Sequence, residues 1–283
     1  MTTYRPQLSN QALPLTHIID VIDERGRVNQ IEIPGERPLT IYIDKKEVLT
    51  LMTLGGAPEA LTLGYIRNQR LVNDLEDIES IQVDWETDSV AVKTKVSTES
   101  IAKRTEKKTV TSGCGQGTMF GDFMNEFETL ELPEHVLLTQ DNIEKVVDQI
   151  RTHPSVYKKA GSVHACAVFK NQASGPELIY FIEDVGRHNA VDAISGMMWL
   201  DGLSGEDLIF YTTGRLTSEM VIKGGQMGIP FLLTRSGVTQ MGLSLAKQIK
   251  MTIMARCSGE HFLIYEGAKR IQMRTPSAAV QVS

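Results

Sequence analysis

Three cysteines in 283 residues, Cys114, Cys166 and Cys257, are too few and too unevenly spaced for a disulfide framework. They fit free thiols in a reducing compartment. No run approaches the roughly 20 apolar residues that cross a bilayer. The opening Met1-Thr2-Thr3-Tyr4-Arg5-Pro6 has no apolar signal core. A cytoplasmic protein away from membranes is therefore expected. Positive charge is not in excess either. Lys and Arg number 29 against 35 Asp and Glu, a net −6. That excludes a nucleic-acid binder held by overall electrostatics, yet leaves room for a local basic pocket. Zinc-deaminase chemistry lacks its ligands: His164-Ala165-Cys166 has no glutamate in third place and no later Pro-Cys-x-x-Cys. No metal site is expected. A Walker A loop and a Gly-x-Gly-x-x-Gly after a strand are also missing, as are tandem repeats and long low-complexity tracts.

What is present divides the chain into parts. The first third reads as β hairpins. Ile18 to Ile22 and Val28 to Ile33 flank the turn Glu24-Arg25-Gly26, and Leu39, Ile41 and Ile43 alternate as a half-buried strand. Pro58 suits a first helical turn, so a helix is expected from there to about Asn68. Residues 81–96 read as a second hairpin. The basic run Lys103, Arg104, Lys107 and Lys108 and an acidic stretch from Asp122 to Glu134 flank Ser112-Gly113-Cys114-Gly115-Gln116-Gly117, whose glycines argue for a loop. From Thr139, a fair N-cap, helices and strands alternate. A hairpin is expected over 163–182 and a helix capped by Asn189. Strand, helix, strand and helix follow through Lys250, with two closing strands. The expected organisation is a β-rich domain over 1–110, a cysteine-bearing loop over 111–138 and an α/β domain over 139–283. Such alternation predicts a layered α/β sandwich around a mostly parallel sheet.

The strand ends carry the chemistry. Glu183-Asp184-Val185-Gly186-Arg187-His188-Asn189 follows one apolar run, Thr212-Thr213-Gly214-Arg215 the next, and Thr234-Arg235-Ser236-Gly237 a third. Ligands of α/β folds bind at carboxyl ends of strands. Helix N-termini add positive field there, and arginine takes phosphate bidentately. Gly186, Arg187, Gly214, Arg215 and Arg235 are thus candidates for an anion or nucleotide pocket. His188 either moves a proton in that pocket or fixes the loop. Asp184 either binds a ribose or base or pairs with Arg187. Cys114, between glycines, is the candidate reactive thiol, whose pKa the nearby basic run would lower. Cys166 lies in an apolar strand and reads as core, and Cys257 borders a turn.

Residues 183–192, with Thr213-Gly214-Arg215 and Ser218-Glu219-Met220, resemble the signature of the formate dehydrogenase accessory sulfurtransferases, the FdhD family. Pro38 to Ile41, Ala60 to Ile66, Gly228-Ile229-Pro230 and Leu243 to Ala246 extend the resemblance over most of the chain. It implies a cytidine deaminase-like three-layer α/β sandwich without zinc, with a smaller β-rich N-terminal part, assembled as a homodimer. It implies that sulfur from a cysteine desulfurase is held as a persulfide on Cys114. From there it passes to bis-molybdopterin guanine dinucleotide, the molybdenum cofactor, before insertion into formate dehydrogenase. GDP-like nucleotides would mimic that cofactor. The family's C-terminal cofactor contact falls on Arg256-Cys257-Ser258-Gly259-Glu260-His261. The sequence departs from the family's Cys-x-x-Cys loop at Gly117, which replaces the second cysteine, yet one thiolate suffices to accept and release sulfane sulfur. Three readings follow. A sulfur carrier needs Cys114. A cofactor-binding chaperone without sulfur transfer needs Arg187 and Arg215. A deaminase-like hydrolase needs zinc ligands that the sequence lacks.

Overall fold

The computed structural model describes residues 4–95, 110–111, 117–118, 127 and 130–274. Cys114, the basic run at 103–108 and the acidic residues Asp122, Glu126 and Glu128 lie outside the described residues. The first third is β-rich, with β1 (Gln7–Leu8), β2 (Thr16–Ile22), β3 (Val28–Pro34), β4 (Arg37–Ile43) and β5 (Lys46–Thr53), then α1 (Pro58–Asn68), β6 (Ile78–Asp84) and β7 (Ser89–Thr94). A five-stranded sheet has the order β1-β6-β7-β4-β5, while β2 and β3 form a separate two-stranded ribbon. Leu39, Ile41 and Ile43 point inward at alternate positions and are fully buried, as their period demands.

Next in order are the short strands β8 (Val110–Thr111), β9 (Gly117–Thr118) and β10 (Leu138–Thr139) and helices α2 (Gln140–Thr152) and α3 (Val156–Ala160). They are followed by β11 (His164–Lys170), β12 (Glu177–Asp184), α4 (Arg187–Leu200), β13 (Leu208–Thr212), α5 (Ser218–Gln226), β14 (Phe231–Thr234) and α6 (Gln240–Gln248). Strands β15 (Thr252–Ser258), β16 (His261–Glu266) and β17 (Ile271–Gln272) close the described chain. Thr139 and Thr239 cap α2 and α6, each hydroxyl accepting from a backbone N–H three residues on.

The large sheet has six strands in the order β12-β11-β13-β14-β15-β16. It corrects the expectation of a mostly parallel sheet. Only β13, β14 and β15 pair parallel, and β11, β12 and β16 add antiparallel partners. The hairpin β11–β12 inserts β11 between β12 and β13, so β12 still runs in the same direction as β13, β14 and β15. Four carboxyl ends therefore share one edge of the sheet, with the start of β11 among them.

Alternate residues of these strands face opposite layers. Cys166, Val168, Phe210, Leu232 and Ile253 pack under α4, α5 and α6. Ala167, Phe169, Tyr211, Phe231, Leu233 and Cys257 pack under α2. The chain is thus a mixed α/β fold with helices on both faces of its main sheet. On its far side α4 meets α1, and Ala193 and Leu200 join the core of the five-stranded sheet.

Candidate functional site

Helix α4 begins earlier than its sequence suggests. Gly186, not Asn189, is its N-cap. Asn189 instead donates from Nδ2 to Asp184 Oδ1 and to the Met52 carbonyl, both at 2.6 Å. Arg187 and His188 consequently sit in a helical first turn and are buried, 5% and 1% exposed, rather than displayed on an open loop. The Arg187 stem lies over Gly214, where an added Cβ would come within 3.2 Å of Arg187 Cδ. His188 Nε2 lies 3.2 Å from Glu219 Oε2, both groups buried.

Asp184 organises the turn before α4. Its Oδ2 accepts from the Thr53 hydroxyl at 2.6 Å and the Leu54 N–H at 3.0 Å, and its Oδ1 accepts from the Gly186 N–H at 3.0 Å and from Asn189. Burial raises its carboxyl above the ordinary value against these four bonds. The sequence pointed to this residue without showing its use, which is to tie the end of β5 to the start of α4.

Other candidates meet at the sheet edge. A cavity of about 280 Å³ is lined by Arg235, Cys257, Ser258 and Gly259 together with Thr213, Tyr157 and Glu183. Arg235, exposed after β14, places its guanidinium carbon 4.8 Å from the Tyr157 ring centre. Arg256 is an exposed residue in left-handed backbone, φ 60°, where the β15–β16 register shifts. Its N–H donates to the Ser236 carbonyl at 3.0 Å, and its guanidinium lies beside Gly237. Such a bulge re-aims side chains at a strand end. Arg215 is exposed after β13, and His261 is exposed at the start of β16. Glu260 faces a neighbouring hollow with Asp141, Glu144 and Lys145.

Two described cysteines are poor nucleophiles. Burial pushes the Cys166 thiol up to about 12 and that of Cys257 up to about 11. Cys166 Sγ also lies 3.4 Å from the Thr212 hydroxyl. Among the described residues no three His, Cys, Asp or Glu side chains gather as a metal site. No helix of the described residues is long and apolar enough to cross a membrane.

The positive field at this edge is registered by His164, at the start of β11. Burial, then Arg187, Arg235, His188 and Arg215, hold its pKa below the ordinary 6.5. A histidine with a depressed folded pKa contributes stability that is complete above 6.5 and lost as pH falls through the folded value. The imidazole resonance of His164 is expected to titrate below 6.5, and Arg235→Ala should move its midpoint upward. An unchanged midpoint in that variant would show that Arg235 adds nothing to the field.

Sequence reasoning passed over the short helix α3. Its residues Tyr157 and Lys158 line the cavity, but five residues carry no readable period. Its start is held by Ser155, whose hydroxyl accepts from the Lys158 N–H, and by Glu183, 26 positions on from Tyr157, whose carboxylate accepts from the Val156 and Tyr157 amides.

Comparison with known proteins points in one direction. A model of the FdhD/NarQ family matches residues 34–272. Sulfur carrier protein FdhD of Listeria monocytogenes serotype 4b is 29% identical over 252 residues, covering 88% of this chain and 95% of the relative. The protein of the same name from Saccharolobus solfataricus is 29% identical over 260 residues, covering 90% and 96%. A crystal structure assigned as a formate dehydrogenase accessory protein, from Desulfotalea psychrophila, superposes with a TM-score of 0.73 at 26% identity, covering 92% of this chain and all of that one.

Proposed function

Since the chain belongs to the FdhD/NarQ family, we propose that it is a sulfur carrier in formate dehydrogenase maturation, loaded on Cys114 and binding its acceptor at the carboxyl edge of the six-stranded sheet. The observation that carries the binding half is the cavity that gathers Arg235, Cys257, Ser258 and Gly259. Its Arg235 guanidinium and Ser258 hydroxyl suit a phosphate, and its volume of about 280 Å³ suits one nucleotide end rather than a whole dinucleotide. The substrate is accordingly bis-molybdopterin guanine dinucleotide, with GDP as a minimal mimic. The sulfur donor is a cysteine desulfurase. The Cys114 thiolate attacks the outer sulfur of the donor's persulfide, a new S–S bond forms, and the donor thiolate leaves, with no net oxidation. The persulfide so formed is more acidic than a thiol, so it is anionic near neutral pH and calls for positive surroundings.

The alternative, a cofactor-binding chaperone without sulfur transfer, shares the cavity and makes Cys114 dispensable. Complementation separates the two. The chain is expected to restore formate dehydrogenase activity in a bacterium lacking its own sulfur carrier. Cys114→Ala should abolish that rescue, while Cys166→Ala should retain it. Full rescue by Cys114→Ala would favour the chaperone.

A further inference from the structure

Both carboxylate oxygens of Glu183 are taken by backbone amides. Oε2 accepts from the Val156 N–H at 2.5 Å and Oε1 from the Tyr157 N–H at 3.0 Å. Those amides open α3, whose five residues are too few to persist as a helix in water unaided. The helix leaves through Gly161 and Ser162, both in left-handed backbone with φ 66° and 55°. At that end Ala160 and Val163 pack with Val156 and Leu54 in a small buried cluster, while the polar anchors of the helix, Glu183 and Ser155, hold its start. Ser155, Tyr157 and Lys158 form one wall of the sheet-edge cavity. The Tyr157 ring in turn lies against the guanidinium of Arg235, which lines the cavity with Arg151 and Lys158.

A carboxylate lining a cavity for a phosphate repels its ligand. Here the charge is directed to two N–H groups of the opposite wall. We propose that Glu183 is a positioning residue for the nucleotide end of the substrate. It pins the first turn of α3, α3 sets Tyr157, and Tyr157 holds Arg235 in its binding direction. This inference rests on the nucleotide reading of the cavity.

Calorimetric titration of the full chain with GDP tests it through a double-mutant cycle. Glu183→Ala is expected to weaken GDP about tenfold or more, the scale of hydrogen bonds to a charged group. Tyr157→Ala should weaken it comparably, and the double variant should be no weaker than the worse single one, because both break one chain of contacts. Trypsin should cut after Lys158 or Lys159 faster in Glu183→Ala, and GDP should protect the wild type but not the variant. If Glu183→Ala does not fold, Glu183→Gln, which keeps one acceptor, carries the same cycle with a smaller loss. Unchanged GDP affinity in the Glu183 variant, or losses that simply add, would overturn the positioning role while leaving the nucleotide site standing. A wild type that does not bind GDP would overturn the nucleotide reading, and this inference with it.

Discussion

Gly64→Ala is expected to destabilise the protein by roughly 3 kcal/mol or more, and Gly196→Ala to do the same. An added Cβ at Gly64 would lie 1.6 Å from the carbonyl oxygen of Asp192, and one at Gly196 would lie 1.9 Å from that of Ala60. Helices α1 and α4 therefore touch backbone to backbone, and neither obstacle is a side chain that can swing away. Alanine would add about 1 kcal/mol of helix propensity at an exposed glycine. Here that gain is outweighed, because the helices must separate and the buried surface on both sides of the seam must open with them. The seam also sets the site, since α4 carries Arg187 and His188 in its first turn. The thermal midpoint should fall by roughly 5 °C or more. A midpoint that holds or rises in either variant would mean that the two helices are not in backbone contact.

Lys223→Met is the second large effect. Lys223 on α5 lies 2.7 Å from Asp192 Oδ1, with side chains 3% and 0% exposed. Asn68 Nδ2 donates to the same carboxylate oxygen at 2.6 Å, and Ser195 donates to Asn68 Oδ1 at 3.0 Å. Removing the ammonium leaves a carboxylate buried with one amide donor. Breaking one side of such a pair costs about 3–5 kcal/mol, mostly for the stranded charge. The network joins α1, α4 and α5, so its loss loosens the layer above the main sheet. Urea unfolding should show the full cost in Lys223→Met and recovery of roughly half or more of it when Asp192→Asn is added, because the remaining group no longer carries charge. A Lys223→Met variant as stable as the wild type would show that the pair is solvated.

Local signals in the sequence were read well where short-range physics sets the outcome. Pro58 opened α1 and Asn68 ended it as expected, and Thr139 caps α2 as expected. The alternating run at Leu39–Ile43 and the short apolar run at Val163–Lys170 became strands. What failed depends on partners distant in sequence. Asn189 has the composition of a helix cap, but Asp184 and Met52 claim its amide, and the helix starts at Arg187. The hairpin β11–β12 was legible, yet its insertion beside β13 rests on pairings such as Cys166 with Thr212, which no period records. Within the site, Arg235, Cys257, Ser258 and Gly259 were picked out by strand-end position and resemblance, and they meet in one cavity. Tyr157 and Glu183 were not picked out for it. Tyr157 reaches the site on α3, which Glu183 holds from β12.

The most direct test of the account is the intact mass of the full chain after incubation with a cysteine desulfurase and cysteine, for wild type and Cys114→Ala. The single-thiol carrier predicts a gain of one sulfur atom that a reductant removes, absent in Cys114→Ala and retained in Cys166→Ala, because burial holds the wild-type Cys166 thiol at about 12. No gain in the wild type, or an equal gain in Cys114→Ala, would contradict it.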